Sequence, residues 1–247
     1  MWRKIRDVSL VFFLTLFFAV GLKSCVVDAF RIPTESMCET LVPGDFLLVN
    51  KFVYGARTPS SFLYFPLPSF QLPKIHSVQR GNVFIFEFPG EKNEVYAIRH
   101  QFLVKRCVGI PRDTVEVKQN ALFVNGMKFP NTKEILTKDF ISAVVPFRGM
   151  QIPLSHETLK QWKVFIQREN HSVEEIRGEV FVDGKVSSPY TVKKNYYFAL
   201  GDNVNNSSDS RSWGFVPEEN IVGQAMFIYW SKDSSGICWN RIGKLVR

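Results

Sequence analysis

The chain has 247 residues, enough for one large or two modest domains with a real core and no need of disulfide staples. Its charge of +8 and pI near 9.3 come without a basic arm or a nucleic-acid module, which excludes nucleic acid as the partner and leaves an anionic membrane surface. Cys25, Cys38, Cys107 and Cys238 form no CxxC pair and combine with no histidine at zinc spacing, so no metal or other cofactor is expected.

Arg3, Lys4 and Arg6 precede an apolar run from Val8 to Leu22, which continues past Lys23 to Val27. With Lys23 snorkelling, residues 8–27 are long enough to cross a bilayer at about 20 residues per span. A cleavable signal peptide has the same charge pattern, but GLKSCVVDAF offers no small-x-small cleavage site. The basic flank keeps residues 1–7 in the cytoplasm and puts the rest of the chain on the far side of the membrane.

Short apolar or alternating runs bounded by Gly, Pro or Asp predict strands at 45–53, 82–88, 102–108, 114–117, 121–124, 178–182, 196–200 and 221–230. Asn125-Gly126 and Asp183-Gly184 are two-residue hairpin turns, because both central positions require positive φ. Only 155–169 carries helical spacing, opened by a Ser155 cap. The expected class is mainly β: an N-terminal transmembrane helix, then an antiparallel β domain. The aromatic, proline-rich stretch 60–73 reads either as a loop packed on the core or as a contact with lipid.

Three segments carry chemistry. In RIPTESMCETLVPGD, Ser36 lies in an irregular stretch just past the apolar span, where a peptide tethered in the bilayer would pass. In FLVKRCVGIPRD, Lys105 interrupts a strand and shares a face with Leu103 and Cys107. If that face is the core, burial lowers the lysine pKa and makes it a base. An ordinary lysine there would point to solvent. In GDNVNNSSDSRSWG, a dense polar loop follows an apolar strand; Asp209 and Arg211 are spaced to pair, and Ser207 or Ser210 is placed to orient an amine.

Taken in order, PTESM-x-x-TL-x-x-GD, LVKR-x-VGIP-x-D and GDN-x-x-x-S-x-DSR-x-WGFVP-x-x-x-IVG resemble the motif set of bacterial signal peptidase I, and the tail WNRIGK is similar to that family's ending. The resemblance implies a membrane-bound endopeptidase of the bacterial inner (plasma) membrane, a monomer whose partners are preprotein signal peptides and the lipid bilayer. It implies Ser36 as nucleophile, Lys105 as general base, Thr34 with the Ser36 N–H as oxyanion hole, Ser207 orienting the lysine, and Asp209 with Arg211 as structural support. The shallow pockets for small substrate side chains are assigned to Ile32, Pro33, Phe86 and Val104. A catalytic β domain of 28–126 and 196–247 would carry an inserted, smaller β-rich domain at 127–195. Glu35 and Arg112 stand where glycine is common, Glu39 where proline is, and Asn82 where aspartate is. Two other readings stay open: a thiol protease using Cys38 with a distant histidine, and a catalytically impaired, membrane-tethered homologue or binding module.

Overall fold

Alternation of apolar and polar residues produces antiparallel sheet almost everywhere it was expected. The computed structural model describes residues 6–15, 26–55, 61–62, 65–66, 73–130, 134–135 and 142–247. The main strands are β1 (Val27–Arg31), β2 (Asp45–Asn50), β3 (Val83–Glu87), β4 (Phe102–Gly109), β5 (Thr114–Lys118), β6 (Ala121–Val124), β7 (Tyr196–Leu200) and β8 (Ile221–Asp233). Two helices join them, α1 (His156–Arg168) and the single turn α2 (Ser210–Trp213). The described residues divide into two units, one within Met1–Pro33, Pro43–Val78 and Val222–Val246, the other within Thr34–Val42 and Gln79–Ile221 together with Arg247.

In the first unit β1 pairs with β2 and β2 with β8, all antiparallel. β2 alternates buried and half-buried residues along its whole length, so Leu47 and Val49 face the core. Asp45 begins the strand fully buried, where Arg241 donates to both carboxylate oxygens at 2.8 and 2.6 Å and the Ser231 hydroxyl donates at 2.7 Å. The C-terminal tail is thereby tied to β2. Gly44 before it has φ of 95°, and a Cβ there would fall 2.0 Å from the Lys232 carbonyl oxygen, so only glycine fits.

Residues 6–15 are helical and exposed, and no described helix is long and apolar enough to cross a membrane. Residues 16–25 of the expected 8–27 span lie outside the described residues, and its last residue, Val27, is already the first of β1. Of the 60–73 stretch the described residues are two short paired strands, Ser61–Phe62 and Phe65–Pro66, and Pro73.

In the second unit β3, β4 and β7 are consecutive antiparallel neighbours, with the short strand Val216–Pro217 beyond β7. β5 and β6 form a hairpin flanked by Ser142–Val144 and Met127–Lys128. Residues 127–195, expected as an insertion, contribute short strand pairs and α1 to this same unit. Both expected turns form, with Asn125 and Gly126 at φ of 52° and 77° and Asp183 and Gly184 at 52° and 73°.

α1 starts at a full capping box: the Thr158 N–H donates to Ser155 Oγ and the Ser155 N–H donates to Thr158 Oγ1. It buries Leu159 and Ile166 among Val173, Val180, Tyr190 and Tyr196. The Glu169 carboxylate closes the helix end, accepting from the hydroxyls of Tyr190 and Tyr196 and the N–H groups of Lys193 and Lys194. A buried carboxylate with that many donors is a fixed joint between the helix and β7.

Candidate active site

Thr34, Ser36, Lys105, Ser207, Asp209 and Arg211 all lie in the second unit. The Ser36 turn is wound on the Met37 carbonyl, which accepts from the N–H groups of Thr40 and Leu41 at 3.0 and 2.8 Å, while the Cys38 N–H donates to the Glu35 carbonyl at 2.9 Å. Met37 and Leu41 are buried and anchor the turn, which leaves Ser36 half-buried at its lip.

β4 carries the lysine. Alternation along the strand puts Lys105 and Cys107 on its buried face, and Lys105 is only 3% exposed. Phe84 of β3 is its cross-strand partner. Lys105 Nζ lies 2.5 Å from Ser36 Oγ and donates to it. Burial pushes the lysine pKa from the ordinary 10.5 down to about 8; the fields of Asp209 and Asp202 raise it partway back, and Arg211 lowers it. A hydroxyl in contact with an amine that sheds its proton this readily can transfer a proton to it near neutral pH.

The polar loop after β7 closes the site from the other side. Asp209 is fully buried and Arg211 nearly so; the guanidinium donates to both carboxylate oxygens at 2.7 and 2.8 Å and also to the carbonyl of Val204. The Gly201 N–H donates to Asp209 at 3.2 Å, so the pair holds the start of the loop as well as its end. The Asn203 N–H donates to the Ser36 carbonyl at 3.1 Å, fixing the serine from behind. Gly201 sits where a Cβ would meet Ser207 Oγ at 2.2 Å and the Ser36 carbonyl at 2.5 Å; the loop packs this closely on Ser36 because that atom is missing.

Ser207 Oγ is buried and has no hydrogen-bond partner among the described residues. A hydroxyl left so costs about 1–3 kcal/mol, and an atom of this kind next to a site calls for a functional account. Thr34 Oγ1 is 3.4 Å from Ser36 Oγ, and its side chain is exposed. The Ser36 N–H has no partner among the described residues.

Of the residues expected to line substrate pockets, Phe86 is fully buried and packs at a tilt against Trp213 at 5.8 Å between ring centres, and Val104 is half-buried on the face of β4 opposite Lys105. Ile32 and Pro33 belong to the other unit, Ile32 buried and Pro33 exposed.

Sequence reasoning passed over one connection. Arg106 donates through Nε and Nη2 to the two carboxylate oxygens of Asp202, both at 2.7 Å, and its guanidinium also reaches the Gly81 carbonyl and Thr40 Oγ1. Thr40 donates in turn to Asp202 at 2.5 Å. One carboxylate therefore joins all three motif segments, and its signal was the Asp that follows Gly201 inside a motif already singled out. Cys107 and Cys238 are free thiols, and burial raises the Cys107 thiol far above its ordinary range. His100, His156 and His171 each bond a carboxylate: Glu87, Glu175 and Asp183.

The family model described as signal peptidase, peptidase S26, matches residues 5–230. A signal peptidase I of Pseudomonas aeruginosa is 35% identical over 89% of this chain and 70% of its own length. One from Buchnera aphidicola is 30% identical over 95% of this chain and 81% of its own. A signal peptidase I of Pseudomonas fluorescens is 33% identical over 89% of this chain and 70% of its own.

Proposed function

This chain belongs to the signal peptidase family, peptidase S26, and we propose that it cleaves signal peptides with Ser36 as nucleophile and Lys105 as general base. The observation that carries the assignment is the 2.5 Å approach of a buried lysine amine to a serine hydroxyl. Neutral Lys105 takes the Ser36 proton as Oγ attacks the scissile carbonyl. The resulting alkoxide oxygen is met by the Thr34 hydroxyl and the Ser36 N–H. Collapse expels the new amino terminus, which receives its proton from the Lys105 ammonium. The lysine, neutral again, then deprotonates the water that hydrolyses the acyl-enzyme.

Ser207 takes the role of holding the amine. Its buried hydroxyl has no other hydrogen-bond partner among the described residues. Because a hydroxyl both donates and accepts, it can serve the lysine in either charge state. Asp209 and Arg211 keep the loop, and with it Ser207, against Gly201.

The apolar run that begins at Val8 and ends before β1 anchors the enzyme, with Arg3, Lys4 and Arg6 cytoplasmic and the chain from β1 onwards on the opposite side. Support comes from Val8, Leu10, Val11, Phe12, Phe13 and Leu14, all more than half exposed on the described part of that helix. Six large apolar side chains in water would be unfavourable; in lipid they are at home.

The test is to incubate the detergent-solubilised chain with an exported preprotein and sequence the new amino terminus. A cut after a small-x-small triplet that disappears in Ser36→Ala, with Cys38→Ala still active, is the expected result. Cleavage surviving Ser36→Ala would refute it.

A further inference from the structure

Glu35 stands directly between the oxyanion donor Thr34 and the nucleophile Ser36, and its side chain is exposed. Its position is fixed at two points. Asn203 Nδ2 donates to the Glu35 carbonyl at 3.1 Å, and Asn206 Nδ2 donates to carboxylate Oε2 at 3.3 Å. Both asparagines belong to the loop that also grips the Ser36 carbonyl. The carboxylate is therefore held in place by a neutral amide, and no cation pairs with it among the described residues.

We infer that Glu35 is a specificity-determining residue, its negative charge favouring substrates with a basic residue close to the scissile bond and disfavouring those with an acidic one. The inference rests on Ser36 being the nucleophile, because only then does a substrate chain lie against this carboxylate. Any peptide whose carbonyl carbon reaches Ser36 Oγ must pass beside the residue immediately before it. A cation there gains an unneutralised, pre-positioned partner, and an anion meets repulsion. Held by a neutral amide, the carboxylate needs to break no existing ion pair to accept a lysine or arginine.

The experiment uses the full chain in detergent and synthetic peptides spanning a small-x-small cleavage site. Lys, Ala or Glu is placed in turn at the second position before the cut and at each of the first three after it. For at least one position, kcat/KM should favour Lys over Glu by roughly fivefold, the scale of an exposed ion pair. That ratio should fall towards one in Glu35→Gln, invert in Glu35→Lys, and shrink as salt shortens the screening length. A Lys-to-Glu ratio identical in the wild type and Glu35→Gln at every position would overturn the inference and leave the nucleophile assignment standing. Should the variants cleave too slowly to measure, the wild-type ratio decides: one that does not respond to salt overturns it equally. Failure of the wild type to cut any peptide would overturn both readings.

Discussion

Lys105 and Ser36 are 69 residues apart in the chain and 2.5 Å apart in space, and the lysine that closes this gap has almost no access to water. A buried amine is expensive to keep. Its pKa of about 8 in the folded protein lies below the 10.5 of a free lysine, so the unfolded chain binds more protons across that window and stability rises with pH through it. Below the lower value both states are protonated and the cost is complete, about 3 kcal/mol for a shift of this size.

Lys105→Met should therefore be inactive and more stable than the wild type. Urea titration near pH 7 should show a gain of up to about 3 kcal/mol, narrowing as the pH approaches 10.5, where a free lysine is half neutral. A variant less stable than the wild type at neutral pH would mean that the amine is not paying a burial penalty.

The Asp209–Arg211 pair has two separable effects. Removing the carboxylate in Asp209→Ala strands a buried guanidinium and should cost about 3–5 kcal/mol. The two charges also act on Lys105 with opposite sign, Asp209 raising its pKa and Arg211 lowering it. In variants that stay folded, Asp209→Asn should move the alkaline rise of activity to lower pH and Arg211→Met should move it to higher pH. A profile unmoved in both would confine the pair to a structural role.

Gly201→Ala is the smallest change that should disable the site. The added methyl would occupy space held by Ser207 Oγ and the Ser36 carbonyl at 2.2 and 2.5 Å, so one or both must retreat. A shift on the order of 1 Å at a nucleophile costs about a hundredfold in kcat. Single-turnover cleavage with circular dichroism as a folding control checks this, and a loss under tenfold would show that the loop accommodates the methyl.

How much of this was visible in the sequence depends on whether the signal was local. The β6 strand and its Asn125-Gly126 turn, β7, and the capped helix α1 were each specified by residues within a few positions, and they formed as expected. β1 escaped notice because Val27 continues an apolar run that was assigned to the anchor. Short pairs such as Gln151–Ile152 with Tyr190–Thr191 have too few residues to show alternation. In the site, alternation in β4 placed Lys105 on a face with Cys107, and the three motif segments marked the residues that meet. Their linkage was not legible, because Arg106 and Asp202 are 96 residues apart and only the fold brings them together. Arg112 shows the reverse: it stands where glycine is common in the family the sequence resembles, and its φ of 81° gives the reason for glycine there. Its guanidinium lies 4.0 Å from the centre of the Phe147 ring, a contact that glycine would lack.

The most direct test of the account is preprotein cleavage by the wild type and Lys105→Arg from about pH 6 to 10, a range that brackets a lysine depressed by burial. Wild-type kcat/KM should climb with an apparent pKa near 8 as the ammonium gives up its proton. Lys105→Arg keeps the charge but cannot release a proton at any of these pH values, and should be as inactive as Lys105→Ala while remaining folded. Cleavage by Lys105→Arg at a rate near that of the wild type would contradict the dyad.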